Sequence, residues 1–401
     1  MSRQLQIGGP RYTRRETVGS LLACAGAAAF GIHAGRAQGV NAPVGDGAPL
    51  ADLGMDLSAE QRAAGVAFLK RHASVDTHSH PGRFFLKQLP YQTPTTRAFG
   101  EAFEERAIAD LAAGNVSATL FCAVADMRLL EMTATQGLRA ARDWSPGEAY
   151  ADYQRQVAEL KALLANHALT KGLTPADIEA AHRHHATAAV FAVEGGDFIE
   201  DRLDRVHEAF RDGVRAVTLV HYHVNQIGDV QTEAPVHGGL TALGKSIVAE
   251  MNRTGVIIDL AHATFAVTKG VLAASSKPII ISHTNIAGPA LSHPRLISSE
   301  HAKLVAAAGG VIGSWPSGVG QTTFSDYIDS IQRLVDTVGM DHVAIGTDMD
   351  ANFKPVLRSY RDWSLLPAAL LARGMRDNDV AKIMGGNFLR VFKANLAAPR
   401  S

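Results

Sequence analysis

Histidine is the residue type that stands out. The chain holds 17 of them, and several fall just where a short apolar run stops. His78 and His80 follow Ala73–Asp76, and His221 and His223 follow Ala216–Val220. His262 follows Val256–Leu260, and His283 follows Pro278–Ile281. Carboxylates stand at two further run ends: Glu194 after Ala188–Val193, and Asp348 and Asp350 after Val343–Gly346. Neutral imidazole with carboxylate is the donor set of zinc and similar transition metals. One histidine at such a place is an ordinary hydrogen-bonded residue, but six runs ending this way point to one metal site. In His78-Ser79-His80 the two rings are two residues apart, so on a strand they project to the same side. His182, Arg183, His184 and His185 cluster on a polar helical stretch and read as solvated surface. His72, His167, His207, His237, His301 and His342 carry no such signal. Asp76 and Asp259 lie within runs and read as acids that bond the backbone or brace ligands.

Such residues need elements to bring them together. Two more runs, Ser117–Val124 and Gly310–Gly313, complete a set of eight. Each is short and rich in β-branched residues, as a strand buried on both faces requires. Amphipathic stretches lie between them, including Tyr150–Ala168, Arg202–Arg211, Leu243–Arg253 and Thr264–Ala274. The alternation predicts an α/β chain folded as a closed (β/α)8 TIM barrel of the metal-dependent hydrolase type, whose strand C-termini converge on one mouth. A doubly wound open sheet would need a glycine-rich phosphate turn after the first strand, and none is present.

The 401 residues fit one barrel with insertions. With 46% hydrophobic and 19% charged residues, wholesale disorder is excluded. Basic and acidic residues balance at 39 each, which argues against an electrostatic nucleic-acid binder. The balance is uneven along the chain. Residues 1–37 hold Arg3, Arg11, Arg14, Arg15 and Arg36 against one acid, Glu16, so the remainder is mildly acidic. Arg14-Arg15 precedes the weakly apolar run GSLLACAGAAAFGI, which ends at Ile32 before His33-Ala34-Gly35-Arg36-Ala37. This reads as a twin-arginine signal peptide over 1–37 and predicts export to the periplasm. The run is too short and too rich in Ala and Gly to span a membrane. Too few apolar residues precede Cys24 for a lipoprotein anchor. Residues 38–58, rich in Gly, Pro and Ala, read as a linker, and 59–401 as the barrel domain. Cys24 and Cys122 are the only cysteines, so there is no disulfide framework.

The stretches VDTHSH, AVEGGD, GVRAVTLVHYHVNQIGD, GLTALGKSIVAEMNRTGVIIDLAH, PIIISHTN, HPR, DHVAIGTDMD and KIMGGNFLRVF carry a resemblance. Over roughly residues 60–395 the chain resembles the membrane (renal-type) dipeptidase family, the M19 metallopeptidases. The resemblance implies a (β/α)8 barrel with two divalent metal ions, usually Zn2+, that cleaves dipeptides or related small amides with a hydroxide held between the metals. His78 matches a ligand of the first metal, Glu194 the bridging carboxylate, and His262 and His283 the ligands of the second. His221 matches the histidine that meets the substrate at the scissile group. Arg295, in HPR, looks like the arginine that binds the substrate carboxylate, and Asp348 like the aspartate that handles protons. A homodimer is also implied. One position departs: His80 stands where the family has an aspartate. Histidine can still ligate, but the centre becomes one charge more positive. That change lowers the pKa of bridging water and predicts one tight and one loose metal.

Two other classes compete. Lactonases, N-acyl amino acid hydrolases and phosphotriesterase-like barrels share the H-x-H pattern. Such enzymes commonly use a carboxylated lysine after strand four, where this chain has His221. A non-catalytic periplasmic binding protein would keep the ligands and lose the proton handler, yet Asp348 is present.

Overall fold

The computed structural model describes residues 52–133, 137–288 and 291–397, all within the unit Gly39–Ser401. The segment with Arg14, Arg15 and Cys24 lies outside the described residues.

Eight parallel strands form the barrel: β1 Val75–Ser79, β2 Ala118–Val124, β3 Thr187–Glu194, β4 Val214–Thr218, β5 Ile257–Asp259, β6 Ile280–Thr284, β7 Val311–Ser314 and β8 Val343–Ile345. Each pairs with the next, and β8 returns to β1 through Asp76 opposite Ile345. Every residue of these strands is buried. Successive side chains point to opposite faces, and the packing follows this. Leu120 and Cys122 of β2 join Val190 and Ala192 of β3 in one apolar cluster, while Phe121 and Ala123 join Phe191 and Val193 in the other. Both faces are therefore dry, which is why the strands read as continuous apolar runs.

The strand ends differ from the apolar runs. β1 lies later than Ala73–Asp76 and takes in His78. Glu194 is the last residue of β3, and His283 lies inside β6. An apolar run stops at its first polar side chain, but the ladder continues into the mouth, where polar groups replace carbon. At β4 and β5 the reverse holds: the strands end at Thr218 and Asp259, and the apolar residues after them belong to loops.

The helices are α1 Ala59–Arg71, α2 Glu148–Asn166, α3 Asp204–Asp212, α4 Ala242–Thr254, α5 Phe265–Ala274, α6 Ser299–Ala307, α7 Phe324–Val338 and α8 Asn387–Leu396, with shorter ones between. The four amphipathic stretches thus become α2 to α5, within two residues at each end. Hydroxyl caps build the starts of α1, α4, α5, α6 and α7. Thr264 accepts from the Val267 N–H, and Thr323 pairs with Asp326 in a capping box. Of the stretch read as linker, residues 52–58 lie against the barrel. Asp52 and Leu53 carbonyls accept from Phe324 and Ser325 N–H, and Leu57 is buried. An antiparallel ribbon, Leu130–Met132 with Leu138–Ala140, follows β2, and Leu169–Lys171 adds a short strand beside β3. No helix among the described residues is long and apolar enough to cross a membrane.

Candidate metal centre

Glu194 is the hub. Its Oε1 lies 3.2 Å from His78 Nε2, 3.0 Å from His262 Nε2 and 3.6 Å from His283 Nε2. Its Oε2 lies 3.4 Å from both His80 Nε2 and His221 Nε2. Two triads share it: His78, His80 and Glu194, and Glu194, His262 and His283. All these residues are buried.

The far side of each ring decides what the near side offers. Ser282 Oγ gives its proton to Asp259 at 2.6 Å. It can then only accept from the nitrogens beside it, His78 Nδ1 at 3.2 Å and His283 Nδ1 at 3.0 Å. His80 Nδ1 faces the Cys122 carbonyl at 2.8 Å. In all three rings the proton belongs on Nδ1, which leaves the Nε2 lone pair facing the centre. Yet His78 and His80 Nε2 are 3.2 Å apart, as are those of His262 and His283. The lone pairs of His78 and His80, facing each other and a carboxylate, are repulsive unless something positive lies between them. The donor set therefore fits divalent cations bound by nitrogen and oxygen.

The electrostatics agree. Burial alone would raise the Glu194 pKa, but the surrounding imidazoles, His221 and His78 foremost, hold it well below the ordinary value. Burial works against charge on His80 too, yet Asp348 and Glu194 lift its pKa to about 10. Proton and metal compete for the same lone pair, so the carboxylates that favour one there favour the other. His262 and His283 are pushed well below the imidazole range, first by burial and then by nearby positive groups including Arg295.

Two buried acids hold the frame. Asp259 accepts from Thr218 Oγ1 at 2.6 Å, from Ala261 N–H at 3.0 Å and from Ser282 N–H at 2.8 Å. Asp76 accepts from His78 N–H, Thr347 N–H, Thr347 Oγ1 and Tyr360 OH. They tie neighbouring strands together at the level of the ligands, and neither belongs to a triad. His262 and Asp348 both sit at positive φ, 66° and 55°, where a non-glycine residue is uncommon.

His221 stands across the centre from His80. Its Nδ1 bonds Asp126 Oδ1 at 2.6 Å, and the other Asp126 oxygen accepts from Tyr222 and His223 N–H at 3.0 Å each. Burial disfavours charge on His221, but Asp126 and Glu194 raise its pKa above the ordinary value. Asp126 carries the same sequence signal as the histidines, because it stands two residues beyond β2, at another strand end. Asp348 Oδ1 lies 3.3 Å from His80 Nε2 with a side chain 14% exposed. Arg295 is buried. Its Nη1 donates to Gln231 Oε1 at 2.7 Å, its Nη2 lies 2.9 Å from His283 Nε2, and its guanidinium sits over Trp315.

His223 and Asp350, although they follow runs, do not join the centre. His223 turns to Asp197 at 2.5 Å and Asp143 at 3.2 Å. Asp350 accepts from Gly82 N–H, and its carbonyl accepts from Arg83. Loop backbone beyond a strand end aims side chains freely, so position there is necessary and not sufficient. Of the histidine cluster, His184 and His185 are exposed as expected.

A small pocket of about 50 Å3 lies at the centre. His80, Glu194, His221, His262, His283, Arg295 and Asp348 line it, together with Tyr222, Trp315 and several apolar side chains.

A family model described as membrane dipeptidase, peptidase family M19, matches residues 62–400. The chain is 33% identical to the dipeptidase verJ of Clonostachys rogersoniana over 246 residues, 59% of this chain and 63% of that protein. It is 32% identical to the dipeptidase aclJ of Aspergillus oryzae over 189 residues, 45% of this chain and 44% of that one. The matched stretch thus spans less than two thirds of the length of each of these relatives. Among solved structures, an amidohydrolase from Pseudomonas aeruginosa superposes with TM-score 0.67 at 21% identity, covering 82% of this chain and 98% of that one. A metallo peptidase from Rhodobacter sphaeroides, liganded with a phosphinate mimic of the dipeptide L-Ala-D-Ala, gives TM-score 0.68 at 18% identity, covering 81% and 99%. These two likenesses are likenesses of fold.

Proposed function

The chain belongs to the membrane dipeptidase family, peptidase family M19, and from that premise we propose that it is a metallo-dipeptidase, hydrolysing dipeptides or related small amides with two bound divalent cations. The observation that carries this is the convergence of four imidazole Nε2 atoms on the two oxygens of Glu194. His78, His80 and Glu194 would hold one cation, and Glu194, His262 and His283 the other. Such a pair, zinc in the simplest case, supplies ionised water at neutral pH and polarises a carbonyl.

The chain's own residues do the rest. His221, protonated through Asp126, turns an Nε2–H toward the carbonyl oxygen and stabilises the charge that develops there. Asp348, at the exposed rim, takes the proton of the attacking water and gives it to the leaving nitrogen. Arg295 binds the carboxylate of the departing amino acid through paired N–H bonds and so fixes which amide is cut. Ser282 and the Cys122 carbonyl keep the ligand rings in one tautomer.

The test is elemental analysis joined to a panel of dipeptides with L or D residues at the second position. Chelation should abolish turnover and added zinc restore it. Glu194→Gln, which keeps size and removes the charge shared by both triads, should lose most of its metal and all measurable activity. A metal-loaded protein that cleaves neither dipeptides nor other small amides would overturn the reading.

A further inference from the structure

The pocket lining is of two kinds. Phe85, Phe99, Val124, Met127, Leu130 and Leu138 present carbon. All but Leu138 are buried, and Leu130 and Leu138 come from the ribbon after β2. Arg295, His221 and Tyr222 present polar groups. Arg295 suits a carboxylate, so the carbon wall is left for the acyl half of the amide.

A dipeptide brings a free ammonium on that half, and an ammonium needs an acceptor. Among the described residues lining the pocket only two are carboxylates, Glu194 and Asp348. Glu194 is ringed by five imidazoles. Asp348 faces His80 at 3.3 Å. At position 80, deep in the pocket, stands an imidazole. An α-ammonium on the acyl half would meet carbon, and both carboxylates of the lining already face imidazoles. An uncharged aliphatic or aromatic acyl group would lose nothing and would bury its carbon.

We propose that this site prefers N-acyl amino acids with an apolar acyl group over dipeptides with a free amino terminus. The inference rests on the hydrolase reading above and narrows its substrate. The reaction needs only water. The C–N bond of the amide breaks and a C–O bond forms. One proton of the water goes to the nitrogen, and the products are a carboxylate and a free amino acid.

The test compares kcat/KM on metal-loaded protein for N-acetyl-, N-butanoyl-, N-hexanoyl- and N-phenylacetyl-alanine with Ala-Ala, Leu-Ala and Phe-Ala, using L- and D-alanine. The expected result is at least a tenfold advantage for the longer acyl groups, rising about threefold per methylene that reaches the wall. Calorimetric binding of phosphinate analogues with and without the amino group should show the same order. Leu138→Asp, a partly exposed ribbon position, should restore an acceptor and move the ratio toward dipeptides by about tenfold, with unchanged metal content. Dipeptides cleaved as well as or better than the N-acyl series would overturn the proposal and leave the hydrolase reading standing. No turnover of either series would overturn both. An unchanged ratio in Leu138→Asp, with fold and metal intact, would also count against it, because the wall would then not face the acyl half.

Discussion

Asp348 meets His80 at the rim of the centre, and its backbone N–H donates to the His78 carbonyl. The same aspartate could therefore move protons or merely pin the loop after β8 to β1. Asp348→Asn separates these, because it keeps size and the backbone bond while losing the proton acceptor. We expect kcat to fall by roughly 10²–10⁴-fold with metal content kept. Turnover within about threefold of the parent, far short of that range, would leave Asp348 an anchor. Asp126 permits a parallel argument. Removing it as Asp126→Ala frees the His221 Nδ1 and its ring orientation. We expect kcat to drop on the order of 10²-fold, as for loss of one oxyanion donor, with little change in KM. An unaltered kcat would show that His221 does not need its partner. The candidate ligands His78, His80, Glu194, His262 and His283 are legible because strand ends converge in a barrel. Arg295 is different: it lies on a loop, remote from any strand end in sequence, and only the family resemblance points to it. Asp126, two residues beyond β2, also obeys the strand-end rule. His223 and Asp350 obey the rule and still turn away, because loop dihedrals beyond a strand follow local hydrogen bonds that a pattern of residue types does not encode.

At the scale of elements, the ligands depend on how closely strands approach inside the barrel. A Cβ at Gly313 or Gly346 would lie 1.9 Å or 1.8 Å from the Ser282 carbonyl oxygen, which Thr77 Oγ1 also reaches at 2.7 Å. β7 and β8 can thus close on β6 only with glycine at these positions. Gly346→Ala should push Ser282 away and cost roughly 1–3 kcal/mol, as overpacking does, measured by denaturant unfolding. Because Ser282 sets two ligand rings, metal affinity should fall with it. Unchanged stability and affinity would mean the strands yield easily. The helix shell carries a pH term of its own. His301 on α6 bonds Thr268 of α5 at 2.8 Å, and burial pushes its pKa down to about 4. The unfolded chain takes up a proton near 6.5 that the folded one resists. Stability from this site is therefore complete above about pH 6.5 and lost as pH falls toward 4, by up to roughly 3 kcal/mol. His301→Gln should flatten that slope in unfolding measurements across the window. A slope equal to the parent's would assign it to other groups. All eight strands could be read from apolar runs and the four amphipathic helices from periodicity. The ribbon Leu130–Met132 with Leu138–Ala140 could not, since three-residue strands are too short to show a period.

For the whole molecule, the candidate metal centre is a product of closure. Its residues come from β1 and the position just after it, β3, β6 and the loop after β5, and Asp348 arrives only when β8 pairs with β1. The proposed site therefore spans positions 78 to 348 and does not exist in any part of the chain by itself. This bears on export, which we propose follows the twin-arginine route. That route carries folded proteins, so the barrel can close and take its metals before it crosses. Arg14 and Arg15 carry the signal, in a leading segment of opposite charge to the mildly acidic remainder. Replacing both by lysine keeps the charge and removes the pair. The precursor should then accumulate in the cytoplasm, folded, metal-loaded and active, with no mature protein outside. A destabilised barrel such as Gly346→Ala offers the complementary experiment. A route for folded cargo should export it poorly at temperatures where it opens, whereas a route that threads unfolded chains should not discriminate. If the double-lysine precursor reaches the periplasm as well as the parent does, and the destabilised barrel follows it, the chain crosses unfolded. The centre must then be assembled outside, from metals available there.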